Sequence, residues 1–180
     1  LGAAWNISRE NFLPEFFNDL KLRASYGLTG NAGVAINSYQ AVLNYDVQYD
    51  NQGGSYVSNF GNNNLTWEKN NTFDVGLDFG VWDNRITGSV EYYDKRTHDL
   101  LQNVPLSLTT GFTSQAMNVG ELSNKGIEAS LNFNIVRGDR FNWSIFGTIA
   151  TLKNRIEKLA LTPDGKPIDI NAGSSYQSAQ

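Results

Sequence analysis

Cysteine is absent from the 180-residue chain, which removes disulfide frameworks and thiolate metal sites and leaves the compartment open. Histidine occurs once, at His98, and no Gly-x-Ser-x-Gly elbow accompanies it, so a histidine-based nucleophilic triad has little to build on. Positive charge is short as well. With 14 Lys and Arg against 18 Asp and Glu, the net charge is -4 and no basic stripe stands ready to neutralise phosphates, which argues against a nucleic-acid partner. No apolar run approaches the ~18 residues of a membrane-spanning helix, so a chain of this kind meets a membrane only as β-strands. The sequence starts at Leu1 with neither an initiator methionine nor a signal peptide and ends in a Ser/Gln/Ala tail, and it reads as a piece of a longer protein.

What is present is alternation. From Asn71 to Asp94 the residues Phe73, Val75, Leu77, Phe79 and Val81 alternate with Thr72, Asp74, Gly76, Asp78 and Gly80, the period of a strand rather than of a helix. Ile86, Gly88, Val90 and Tyr92 then alternate with Thr87, Ser89, Glu91 and Tyr93. Asp83-Asn84 between the arms supplies residues that tolerate the left-handed backbone of a tight hairpin. Folding about that turn sets Val81 against Ile86, Leu77 against Val90, Asp78 against Ser89 and Gly76 against Glu91. A slip of one residue would put carboxylates among the apolar side chains.

The same device recurs. Ile127, Ala129, Leu131, Phe133 and Ile135 face one way, and Phe141, Trp143, Ile145, Gly147 and Ile149 return after a three-residue turn, Arg137-Gly138-Asp139, with Gly138 available for positive φ. That turn sets Phe133 against Trp143 and Leu131 against Ile145. An earlier strand carries Leu20, Leu22, Ala24 and Tyr26 on one face and Lys21, Arg23 and Ser25 on the other. Leu1 to Ser8 reads as the tail of another strand, and Arg9 to Phe17 as a connector with one helical turn capped by Ser8 and interrupted by Pro14. Two stretches lack periodicity: Gly30 to Lys69, rich in Gly, Asn, Ser and Tyr, and Gln102 to Ser123.

Alternation alone fits both a membrane barrel and a soluble β-sandwich with a carbohydrate-binding face. Long and short connections take turns along the chain, which is the loop asymmetry of an outer-membrane barrel. The arms exceed the 5–6 residues usual in sandwiches and suit the ~9–11 that cross a bilayer. Phe73, Tyr92, Phe141 and Trp143 sit near strand ends, where a barrel places its aromatic girdles.

Four segments then become specific. LKLRASYGLTGN at Leu20 to Asn31, GNNNLTWEK at Gly61 to Lys69, DVGLDFGVWDNRITGSVEYYDKRTHDLL at Asp74 to Leu101, and NVGELSNKGIEASLNF at Asn118 to Phe133 resemble, in order, the C-terminal barrel region of the SusC/RagA family of TonB-linked (TonB-dependent) outer-membrane transporters. The resemblance implies an all-β, antiparallel up-and-down transmembrane β-barrel of about 22 strands with an internal plug. Residues 1–180 would form part of that single barrel domain, about six strands of its wall, without plug, TonB box or closing strand. It further implies location in the cell outer membrane of a Bacteroidota-type cell, a SusD-like surface lipoprotein and the TonB complex as partners, and import of a large nutrient. That nutrient would be a glycan or oligosaccharide by preference, with peptides the other known cargo.

In a barrel the polar faces line the lumen, and Arg23, Asp74, Asp78, Glu91 and Glu128, with Lys21 and Lys95, are expected to contact the plug. Asp74 and Glu91, on the same face of the hairpin, have the residue types of a glycosidase pair, but nothing distinguishes them from other carboxylates on such a wall, so no catalytic role is assigned. Among the outer loops Tyr39, Tyr45, Tyr49 and Tyr56 are the ligand-binding candidates, because sugars stack their apolar faces on aromatic rings while Asn, Asp and Gln meet the hydroxyls. No cofactor is expected. Asp46, Asp50, Asn51 and Asn62 to Asn64 offer oxygen ligands for calcium in the outer loops, without the spacing of an EF-hand.

Overall fold

The computed structural model describes residues 1–33, 38–161 and 165–167. Its strands are β1 (Gly2–Asn6), β2 (Phe17–Asn31), β3 (Leu43–Tyr49), β4 (Gln52–Val57), β5 (Glu68–Val81), β6 (Ile86–Pro105), β7 (Ser114–Arg137) and β8 (Asn142–Lys158). They form a six-stranded sheet in the order β1-β2-β5-β6-β7-β8 and a separate two-stranded sheet, β3-β4. The expected partial wall of about six antiparallel strands is therefore present as an open sheet, with β1 and β8 at its edges.

The turn between β5 and β6 is as read from the sequence. Arg85 N–H donates to the carbonyl of Trp82 at 3.0 Å, and the central Asp83 and Asn84 lie at φ 53° and 55°, the left-handed values that a two-residue hairpin of matching twist requires. Trp82 also has positive φ, 53°, which is unusual for a bulky residue. Its N–H donates to the carbonyl of Phe16 at 3.0 Å, while the Arg137 guanidinium donates to the carbonyls of Asp83 and Asn84. The polar groups of the turn are thus satisfied by neighbouring strands rather than left bare.

Several details depart from expectation. Ser8 does not cap a helical turn in the connector: it lies inside a 3-10 turn, Ile7–Arg9, that has no side-chain cap. The β7-β8 turn closes through Gly138 N–H donating to the carbonyl of Phe141 at 3.1 Å, and Gly138 does not adopt positive φ. Further along that pair Ile127 N–H donates to Thr151 Oγ1 at 3.1 Å. Gln102 to Ser123 is not a long loop, since β6 runs to Pro105 and β7 starts at Ser114, leaving 106–113 as the connection. Finally, Gly30 to Lys69 contains the β3-β4 hairpin, turned at Asp50 and Asn51 with φ 50° and 60°.

Contacts divide the chain into two compact units. The first comprises Leu1–Thr29, Asn70–Arg96 and Ser123–Arg155, and the second Gly30–Lys69, Thr97–Leu122 and the described residues from Ile156 onward. The turns at Trp82–Arg85 and 138–141 and the connector 7–16 belong to the first unit, and the connections after β2 and β6 to the second.

Little of the chain is buried. Among the described residues the buried hydrophobic side chains are Val104 and Ala160, whereas Phe73, Leu77, Val90, Ile127, Leu131 and Phe133 are all exposed on one face of the large sheet. A sandwich would cover such a face with a second packed sheet, and a two-stranded hairpin is too small for that. A contiguous apolar face of this size on strands is what lipid covers.

Candidate functional site

On the polar face of the first unit, Arg23 reaches from β2 across β5 to β6. Its Nε lies 3.3 Å from Asp78 Oδ2 and its second guanidinium nitrogen 2.7 Å from Glu91 Oε2. The crossing is possible because position 76 is glycine: a Cβ there would lie 2.7 Å from the guanidinium carbon of Arg23. Ser25 Oγ donates to Asp74 Oδ2 at 3.0 Å, and the Ser89 and Ser130 hydroxyls meet at 2.8 Å. Of the charged residues singled out from the sequence, Arg23, Asp78 and Glu91 therefore come together and Asp74 lies beside Ser25. Glu128 and Lys95 stand exposed on the same face.

The arrangement is electrostatic scaffolding. Each member of the Arg23–Asp78–Glu91 cluster is about a third exposed, so the pairs contribute on the order of 1 kcal/mol or less apiece. Asp74 and Glu91 do not form an acid–base pair, because Glu91 is bonded to Arg23 and Asp74 to Ser25. Beside Asp78 opens a cavity of about 360 Å³, lined among others by Asp19, Thr87, Ser89 and Asn132.

In the second unit the side chains of three of the four expected tyrosines are described. Tyr39, Tyr45 and Tyr56 are exposed, and no ring contact joins them among the described residues. Tyr49 belongs to β3, but its side chain lies outside the described residues. The aromatic pair that does form is Phe60 with Phe112, edge to face at 5.3 Å between ring centroids. It borders a cavity of about 300 Å³ whose other walls include Asn59, Asn103, Thr113, Ser114 and Gln115. Among the described residues no charged side chain lines it.

One wall of that cavity is held by side-chain amides. Gln115 Nε2 donates to the carbonyl of Gly61 at 2.7 Å, and Asn62 Nδ2 to that of Ala116 at 2.9 Å. Asn118 Oδ1 accepts from Thr66 N–H, and its Nδ2 donates to the carbonyls of Thr66 and Asp99, all at 2.8 Å. Glu68 receives Asn31 Nδ2 at 3.1 Å and the N–H of Leu101 at 3.1 Å. The segment Gly61 to Glu68 is thus strapped to β6 and β7 by amides that complete its backbone hydrogen bonding. Sequence reasoning missed Phe112, Gln115 and Asn118; the available signal was the concentration of amides on both sides of an aperiodic stretch. No cluster of three or more acidic, His or Cys side chains suited to a metal occurs among the described residues.

Comparison with known proteins gives this geometry its setting. Residues 1–177 match the family model described as TonB dependent receptor-like, beta-barrel. TonB-dependent receptor P26 of Formosa agariphila is 41% identical over 161 residues, 87% of this chain and 16% of that protein. TonB-dependent receptor SusC of Bacteroides thetaiotaomicron is 37% identical over 170 residues, 88% of this chain and 17% of that protein. Among solved structures, the RagAB peptide transporter superposes with a TM-score of 0.77 at 30% identity, over 91% of this chain and 19% of the other. The chain therefore spans about a sixth of the length of the curated relatives it matches. By sequence motifs in order, by strand architecture and by superposition, it belongs to the TonB-dependent receptor β-barrel family, of the SusC/RagA type found in the outer membrane.

Proposed function

We propose that the protein to which this chain belongs imports a neutral glycan across the outer membrane, with energy from the TonB complex and with a SusD-like lipoprotein as its surface partner. Family membership supports import as the activity class, the family being one of receptors and transporters rather than of enzymes. The observation that favours a neutral, hydrogen-bonding cargo is the cavity beside Phe60 and Phe112, whose lining among the described residues is amides and hydroxyls without a charged group. Its volume of about 300 Å³ stands at the lower end of ligand pockets, enough for a sugar ring or two of a longer chain. On the lumenal side, Arg23, Asp74, Asp78, Glu91 and Glu128 are the residues assigned to contact with a plug.

A peptide cargo is the second reading, favoured by the 30% identity to a peptide transporter. Calorimetry on the full-length receptor with its lipoprotein separates the two. Saturable binding of neutral oligosaccharides and none of mixed peptides is the expected result. Peptide binding alone would overturn the glycan assignment, and uptake that persists in cells lacking TonB would overturn the import mechanism itself.

A further inference from the structure

The outward face of the first unit changes character within one rung. Asn134 N–H donates to the carbonyl of Arg85 at 2.8 Å, and the Ser89 and Ser130 hydroxyls meet, which fixes the register of β6 against β7. Stepping along it pairs Ile86 with Phe133, Gly88 with Leu131, Val90 with Ala129 and Tyr92 with Ile127, all on the apolar face. The next outward rung is Asp94 with Lys125, whose Nζ lies 2.9 Å from Asp94 Oδ2. Arg96, two residues further on β6 and on the same face, donates to that carboxylate at 3.2 Å.

These charges are built in rather than loose. The Asp94 side chain is only 16% exposed, while Arg96 and Lys125 keep 54% and 35% of their surface. The carboxylate holds both cations at one level and leaves the trio with a net positive charge. From Ile127 to Ile135 the apolar face of β7 runs for nine residues. At about 3.4 Å each and a strand tilt of about 40°, that is roughly 20 Å of membrane depth, near the ~25 Å apolar band of such barrels.

We infer that the hydrocarbon of the outer leaflet ends between the Tyr92–Ile127 rung and the Asp94–Lys125 rung, and that Arg96 and Lys125 bind the phosphate of an anionic lipid headgroup there. Tyr92 occupies the level at which an amphipathic ring is favoured, with its body in hydrocarbon and its hydroxyl among headgroups. Asp94 serves as the spacer that orders the two cations. Along β6 this rung lies towards the 106–113 connection and away from the tight Trp82–Arg85 turn, and in such barrels the tight turns are periplasmic, so the leaflet concerned is the outer one. This inference rests on the membrane-barrel assignment and not on the nature of the cargo.

The test uses the full-length receptor. In intact cells a membrane-impermeant maleimide should label Arg96→Cys and leave Ile127→Cys unlabelled until detergent is added; should Ile127→Cys fail to assemble, Ala129→Cys takes its place. Equal labelling at the two levels would overturn the boundary. In nanodiscs, replacing phosphatidylcholine with phosphatidylglycerol should raise the thermal midpoint of the wild type by a few degrees and leave an Arg96→Gln/Lys125→Gln variant unmoved. An equal rise in that variant, or the same rise with inorganic phosphate in phosphatidylcholine, would overturn the headgroup site.

Discussion

Arg23 shows how a single absent side chain organises a wall. Long enough to cross one strand, its side chain does so only where β5 carries nothing in its path, at Gly76. Gly76→Val should therefore push the guanidinium off Glu91 and leave that carboxylate near Asp78 without its cation. The expected loss is about 1 kcal/mol, since the cluster is partly wet, with Gly76→Ala milder. Gly27→Val on β2, where an added Cβ meets nothing within 4 Å, should leave stability unchanged. Urea unfolding of the full-length barrel in liposomes measures all three. A loss at Gly27 equal to that at Gly76 would mean that the effect is one of strand propensity, not of the arginine.

At the scale of elements, the segment Gly61 to Glu68 depends on Asn118 in the same way that the wall depends on Gly76. Asn118→Ala leaves the N–H of Thr66 and the carbonyls of Thr66 and Asp99 without that partner. The local cost is about 1–3 kcal/mol. Amide hydrogen exchange should quicken at 61–66 and stay as it was at 77–81 in β5. This dependence was hidden in the sequence for the reason that other features were plain. Where one face meets lipid, apolar and polar residues must alternate, so the β5-β6 hairpin, its Asp83-Asn84 turn and its register could be read directly. Where a polar segment covers the strands instead, buried positions are filled by amides and hydroxyls such as Gln115 and Ser123, and apolar alternation is lost. The far parts of β6 and β7, with Asn103, Gln115 and Asn118, read as loop for that reason, and so did the β3-β4 hairpin. The tyrosines of the loop suggested a site by composition, but composition does not say which rings meet; Phe60 and Phe112, more than 50 residues apart, are brought together by the fold.

For the molecule as a whole, the six-stranded sheet is an open wall that has its charged network on one face and an uncovered apolar surface on the other. Such a sheet is stable only where lipid takes the place of a core, and its assignment as an outer-membrane barrel wall stands on that physical requirement as well as on family membership. The most direct test is a nitroxide scan along residues 72 to 81 of the full-length receptor in nanodiscs, reading oxygen accessibility at each position. It should be high at 73, 75, 77, 79 and 81 and low at 72, 74, 76, 78 and 80. A flat profile, or one with the opposite phase, would contradict the facing of the wall.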